Sequence, residues 1–244
     1  MTFADTLPSD PERSEPALQR TAGRARLAIR HKDGGSRLER LFQEGAAKIR
    51  LPNVAKGAPP EAVLINSAGG LTGGDHYSVE VEIGDNARAV VASQACEKIY
   101  RSSGGTAKVE NSLRLGKGAF CAWLPQETIL FDHARLERRI DIDLAADARL
   151  LAVEPIILGR AAMGESVRTA SLRDRWRIRR EGQLAYADDF RLDGDVEALT
   201  GSAPLLSGNR AAATIVLMSD DAEDHLAAVR GALGDGDNGG ASAW

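Results

Sequence analysis

Four segments of the chain carry residue types and spacings that could do chemistry. The first, Asn66 to Asp75, reads NSAGGLTGGD and holds Gly69, Gly70, Gly73 and Gly74. Glycine admits positive φ and close backbone approach, so the segment has the composition of a phosphate cradle. A P-loop needs Gly-Lys followed by Ser or Thr, and no Lys is present. The dinucleotide fingerprint fails as well, because the glycine spacing is wrong and a strand rather than a helix is predicted to follow. What remains is a tight corner between strands, with Asp75 accepting backbone N–H groups at the turn.

The second segment, Ser93 to Gly105, reads SQACEKIYRSSGG. It sets Cys96 near Lys98 and Tyr100, the neighbourhood of an activated thiol. No His or carboxylate–His pair lies nearby in sequence, so a small core cysteine is the competing reading. The third, Leu124 to His133 (LPQETILFDH), offers Glu127, Asp132 and His133 as candidate metal ligands. The fourth, Val153 to Glu165 (VEPIILGRAAMGE), places Glu154 among apolar neighbours, a buried or channel-lining carboxylate with Arg160 as candidate counter-charge. A structural ion pair is the alternative for that charge. His31, His76, His133 and His225 show no i, i+4 pair and no HExxH pattern, which argues against a tight zinc site. There is no GxSxG elbow and no Ser-His-Asp signature.

The elements that must hold these segments are strands. Leu27 and Ile29, then Val79, Val81 and Ile83, then Leu136, Ile140, Ile142 and Leu144, then Trp176 and Ile178 alternate with charged or polar residues. A period of two gives each strand one dry and one wet face. Glycine turns separate the runs at Asp33-Gly34-Gly35, Gly84-Asp85-Asn86, Gly104-Gly105, Gly116-Lys117-Gly118 and Glu181-Gly182. The last predicts a hairpin from RWRIRR back to QLAYADDF. One helix is predicted near the C-terminus, with Ser219 as N-cap, Leu226, Val229 and Leu233 on one face and Gly234 as its stop. Gly159 to Val167 is predicted as a loop or a short helical turn. No repeat of fixed period is found.

Bulk properties narrow the function class. The 244 residues suffice for a sizeable core, filled mainly by Leu, Ile, Val and Ala because aromatics make up only 5%. Acidic and basic residues nearly balance, 35 against 31, which argues against a nucleic-acid binder. Two cysteines without CxxC spacing fit a reducing compartment. With no secretory signal and no long apolar run, the expectation is a cytoplasmic protein that does not enter a membrane. Residues 1–20, rich in Pro, Ser, Asp and Glu, are expected to be a disordered lead-in. Residues 21–244 are expected to form a single β domain.

In this order, the four segments resemble the family of urease accessory proteins called UreD, or UreH in some bacteria. The resemblance rests on Asn66 to Asp75, Gln94, Lys98, Tyr100-Arg101, Pro125-Gln126-Glu127, Glu154, Gly159-Arg160 and Gly164-Glu165. It runs from about Arg24 to the end of the chain. It departs from the family pattern at Cys96, where Ala, Ser or Thr is commoner. Family members continue through another strand and a second helix. The resemblance therefore implies a chain cut short at Trp244, with a strand edge left exposed.

The resemblance implies a mainly β fold, a β-helix-like stack of strands with one or two helices near the C-terminus. It implies a non-catalytic urease maturation factor that binds UreF and, through it, the GTPase UreG. The assembly docks on apo-urease and assists nickel insertion, with GTP hydrolysis belonging to UreG. No tightly bound cofactor is expected, and nickel is expected only in transit. Strong multi-Cys or multi-His sites would hold Ni²⁺ too long for transfer, whereas scattered carboxylates would pass it along. Asp75, Glu127, Glu154 and Glu165 are the candidates for that path. Two other classes stay open: a β-rich hydrolase using paired carboxylates, and a metal store, against which the lack of a Cys/His cluster speaks. A scaffold would present a broad, partly apolar partner surface.

Overall fold

A computed structural model describes residues 19–201, 206–234 and 239–244. The lead-in expected over residues 1–20 therefore lies outside the described residues, except for Gln19 and Arg20. Among the described residues, fifteen strands and two α-helices follow in chain order. They are β1 (Ala22–Lys32), β2 (Gly35–Gly45), β3 (Ala47–Arg50), β4 (Glu61–Asn66), β5 (His76–Ile83), β6 (Arg88–Ser93), β7 (Glu97–Ile99) and β8 (Ala107–Leu115), then β9 (Phe120–Leu124), β10 (Thr128–Leu130), β11 (Arg135–Leu144), β12 (Arg149–Leu158), β13 (Thr169–Arg180), β14 (Gln183–Asp195), α1 (Val196–Thr200), β15 (Ala211–Met218) and α2 (Leu226–Leu233).

The strands form two sheets, and the chain passes back and forth between them. The first runs β14-β13-β11-β8-β5-β1-β2, parallel in its middle and closed at both ends by antiparallel hairpins. The second stacks β3, β4, β6, β9, β12 and β15, with the short β7 and β10 in line with β6 and β9. This is the expected β-helix-like stack. Alternation explains it: Val79, Val81 and Ile83 on β5, and Leu136, Ile140 and Ile142 on β11, are at most 2% exposed and face the second sheet.

Successive passes turn at stacked corners. Gly84, Gly116 and Ala145 each donate their N–H to the end of the preceding rung, at Ile29, Ile83 and Leu115 (2.8–2.9 Å). Each corner closes on an alanine, Ala87, Ala119 or Ala148, that is at most 1% exposed. The corners are equivalent in space but unequally spaced in sequence, which is why no fixed period can be read. Glu181 (φ 50°) and Gly182 (φ 76°) form the predicted hairpin turn, with both central residues in the left-handed region.

The C-terminal helix is shorter than its sequence signals. A 3₁₀ turn, Ala222–His225, precedes α2, and Ser219 does not cap it. The Ser219 hydroxyl donates instead to the Asp221 carboxylate and accepts from Arg149 Nε at 3.0 Å. An ionised neighbour two residues on outcompetes the backbone for that hydroxyl. Gly234 ends the helix as predicted, with φ 71° and its N–H on the Arg230 carbonyl. A second helix, α1, begins at Asp195, whose side chain accepts the Ala198 N–H at 3.0 Å. Among the described residues, no helix is long and apolar enough to cross a membrane.

Candidate functional site

Two rungs of the second sheet are broken at the same level. β6 and β7 are halves of one rung, interrupted at Gln94–Cys96, and β9 and β10 are halves of the next, interrupted at Pro125–Glu127. Pro125 has no N–H to give a ladder, so pairing stops there. In the rung before them the chain leaves β4 at Asn66, swings out through Gly69 and Gly70, and rejoins at Leu71, which bridges Ile99. Because the rungs are stacked, the three breaks line up. The Gln94 N–H reaches the Leu64 carbonyl (2.9 Å), the Gln126 N–H reaches Ser93 Oγ (2.8 Å), and the Glu97 N–H reaches the Glu127 carbonyl (2.9 Å).

The result is a window through the second sheet into a cavity of about 230 Å³. Asn66, Gln94, Glu97, Lys98, Pro125 and Gln126 surround its mouth, and Tyr77, Asn111, Thr128, Arg138 and Glu154 lie deeper. Glu97 is half-buried, and the Asn66 amide donates to both its oxygens at 3.0 and 3.2 Å. Burial pushes its carboxyl up to about 7, against the opposing pull of the Asn66 amide and the Lys98 backbone N–H. Burial likewise raises the Tyr77 phenol, and the Glu97 charge adds to that shift.

A buried ion cluster closes the inner end. Arg138 on β11 forks onto Asp174 on β13, with Nε–Oδ1 at 2.8 Å and Nη2–Oδ2 at 2.7 Å. Its remaining nitrogen meets Glu154 on β12 at 2.5 Å and Thr128 at 3.1 Å. Trp123 donates its indole N–H to the other Glu154 oxygen at 2.7 Å. All three charged residues are 3% exposed. Loss of hydration pushes the Glu154 carboxyl above the usual range, while Arg138 and Trp123 pull the other way. Desolvation lowers and the two carboxylates raise the Arg138 guanidinium; the raising wins, so it stays charged. Neither carboxylate is left free to act as acid or base against a substrate, so the pair does not form the site of a paired-carboxylate hydrolase.

The four sequence segments meet on this side of the molecule, in two groups. Asn66, Gly69, Gln94, Lys98, Pro125, Gln126 and Glu154 line the cavity. Tyr100, Arg160 and Glu165 form a chain beside it. The Tyr100 hydroxyl donates to the Gly69 carbonyl (3.2 Å), and its ring meets Phe131 edge-on with centroids 5.0 Å apart. Arg160 lies over the Phe131 ring, 4.1 Å from its centroid, and pairs with Glu165 at 2.7 Å. Gly70 passes beneath Tyr100, where a Cβ would stand 2.4 Å from the ring; Gly73 is as crowded against Ser102. Gly74 (φ 91°) and Gly159 (φ 72°) take backbone angles that suit glycine. Arg101 is exposed and bridges Ala134 through its backbone.

The carboxylates singled out from sequence have different surroundings. Asp75 is 4% exposed and accepts the Thr21 and Thr72 N–H groups, each at 2.8 Å, so it ties the glycine corner to β1. Glu127 is half-buried and does not line the cavity. Asp132 accepts the Arg168 and Thr169 N–H groups at 2.8 and 3.0 Å; against the raising effect of burial, these bonds hold its carboxyl below the usual range. Among the described residues, no three His, Cys, Asp or Glu side chains come together as a metal cage.

Sequence reasoning passed over Arg138, Asp174 and Glu97. A signal was there. Arg138 shares the inward phase of Leu136, Ile140 and Ile142, and Asp174 that of Leu172, Trp176 and Ile178. A charge on the dry phase of a strand needs a partner inside.

Residues 21–244 match the family model described as UreD urease accessory protein. Over 226 residues the chain is 54% identical to the urease accessory protein UreD of Rhizobium rhizogenes, an alignment covering 93% of this chain and 82% of that protein. Over 235 residues it is 49% identical to the urease accessory protein UreD 1 of Brucella anthropi, covering 95% and 82%. UreD of Rhizobium leguminosarum bv. viciae is 52% identical over 226 residues. With a match of this extent and the strand stack in place, the chain belongs to the UreD family of urease accessory proteins.

Proposed function

We propose that this chain is a non-catalytic urease maturation factor working in the cytoplasm. It holds UreF, and through UreF the GTPase UreG, on apo-urease while nickel is inserted. GTP hydrolysis belongs to UreG, in keeping with the lack of a P-loop here. Nickel is cargo and passes through the window in the second sheet.

The observation that carries the reading is the lining of that window. Beside the Lys98 ammonium and the Cys96 thiol, it offers the Glu97 carboxylate, the Tyr77 phenol and the amides of Asn66, Gln94, Asn111 and Gln126, and among the described residues no three His, Cys, Asp or Glu side chains form a cage. Oxygen donors outnumber the one thiol and no imidazole is present, so the lining can take a divalent cation without trapping it, because affinity for Ni²⁺ grows with imidazole and thiolate ligands. Of the carboxylates first considered for the path, Glu154 fronts the cavity but is held by Arg138, and Asp75 and Glu165 have partners elsewhere. Glu97 becomes the principal candidate.

The test is urease activation in a complete accessory set carrying Glu97→Gln. Activity and nickel content per urease should fall several-fold while the accessory proteins still co-purify. Full activation by Glu97→Gln and by Glu97→Ala would remove the window from the nickel path.

A further inference from the structure

Asn111 sits where an apolar side chain is expected. It lies on the inward phase of β8 between Val109 and Leu113, in register with Val79 on β5 and Ile140 on β11, and is 8% exposed. A buried amide among apolar neighbours costs free energy unless something bonds to it. Among the described residues, no side chain or backbone group bonds to the Asn111 amide. Nor is the amide sealed in, since no fully enclosed side-chain nitrogen or oxygen is left unpaired. It therefore opens on the cavity it lines.

Two other groups in the same cavity have bonding capacity to spare. Glu97 shares the inward phase of Ile99 on β7, and the Asn66 amide is the side-chain partner of both its oxygens, which leaves lone pairs open. The Thr128 hydroxyl accepts from Arg138, and its own proton has no acceptor among the described residues. The charges at the inner end are saturated. Arg138 is taken up by Asp174, Glu154 and Thr128, and Glu154 by Arg138 and Trp123. Lys98 falls on the opposite phase of β7 from Glu97, toward the outside of the sheet. The chamber thus offers an acceptor at Glu97, donors at Asn111 and Thr128, and no free cation at its inner end.

We propose that this chamber binds a small neutral diamide of the urea type. The N–H groups of such a molecule donate to Glu97, and its carbonyl accepts from the Asn111 amide or the Thr128 hydroxyl. Val79, Val109 and Leu136 supply apolar wall. Size agrees: an apolar cavity of about 150 Å³ holds benzene, and this one has about 230 Å³. Chemistry selects against other small molecules. A carboxylate would be repelled by Glu97. Guanidinium would satisfy Glu97 but has no acceptor for Asn111 or Thr128. Acetamide has one nitrogen where the diamide has two. The proposal goes beyond nickel passage and does not rest on it, because the chain alone, without metal or partner, should bind the ligand.

The experiment is saturation-transfer NMR on the purified full chain at pH 8, with the methyl protons of N-methylurea as the probe. Transfer should saturate on the order of 1–10 mM, within reach of a ligand with so few atoms. Urea should displace the probe at similar concentration, far below what unfolds a protein. Guanidinium and acetamide should compete at least fivefold more weakly. Asn111→Leu should weaken binding at least tenfold and also raise the thermal unfolding midpoint, because an unpartnered amide gives way to an apolar side chain among apolar neighbours. Glu97→Gln, which keeps the shape, should weaken binding several-fold. Transfer that never saturates would mean that water alone fills the chamber, and would overturn the proposal. Equal binding by Asn111→Leu, or guanidinium competing as well as urea, would also overturn it. So would a lowered midpoint in Asn111→Leu, which would make the amide a structural group.

Discussion

Arg138 and Glu154 lie in opposite sheets, and their side chains meet at 2.5 Å with both residues 3% exposed. The same guanidinium forks onto Asp174 in its own sheet, so one residue ties three rungs of the stack together. Taking away one member of such a cluster leaves the others buried and unpaired. Arg138→Met should therefore destabilise the chain by about 3–5 kcal/mol, read from urea unfolding. Replacing Arg138, Glu154 and Asp174 together with apolar residues of similar volume should cost much less. Equal losses in the single and triple variants would show that the cluster is not coupled.

Glu97 makes stability depend on pH near neutrality. Its carboxyl is raised to about 7 in the folded chain, against about 4.3 when unfolded. Between those values the folded state holds the extra proton, so stability falls as pH rises. The contribution is present in full below about pH 4 and lost above about pH 7. Glu97→Gln removes the titration. The wild type should lose stability relative to Glu97→Gln across pH 4.5 to 7.5, and a difference that stays flat with pH would refute the burial of this group.

Glycine is required at Gly70 for a different reason than at Gly69. Gly69 has φ 78° and open space around it, so Gly69→Ala should cost about 1 kcal/mol of backbone strain. At Gly70 a Cβ would also stand 2.4 Å from the Tyr100 ring and 2.7 Å from the Lys98 carbonyl. Gly70→Ala should cost clearly more, about 2–4 kcal/mol. Equal unfolding midpoints for the two variants would mean that the corner opens freely.

The two cysteines should react at very different rates. Cys121 is fully buried, and burial pushes its thiol up to about 12. Cys96 is half-buried and lines the window. A thiol reagent at pH 8 should modify one cysteine in the native chain and the second only on unfolding. Protection of Cys96 by Ni²⁺ in the same assay would place the ion at the window.

The strands, their dry and wet faces and the hairpin at Glu181-Gly182 can be read directly from the chain, because side-chain alternation and turn geometry are local. Glu154 stands out for the same reason, as a carboxylate on an apolar phase. Arg138 and Asp174 carry that signal too, but it does not name a partner. Glu154 is 16 residues from Arg138 and Asp174 is 36, and which rung lies over which depends on corners of unequal spacing.

Glu97 shows where local reading stops. In sequence it is one charge between Cys96 and Lys98. It becomes a half-buried carboxylate only because the breaks at Asn66, Gln94 and Pro125 fall at one level of the stack. Residue types determined that the chain would alternate, turn at glycine and interrupt its ladder at Pro125. Only the packing of one rung on the next decided that those interruptions form a window, because register between distant strands is set by burial across the whole core.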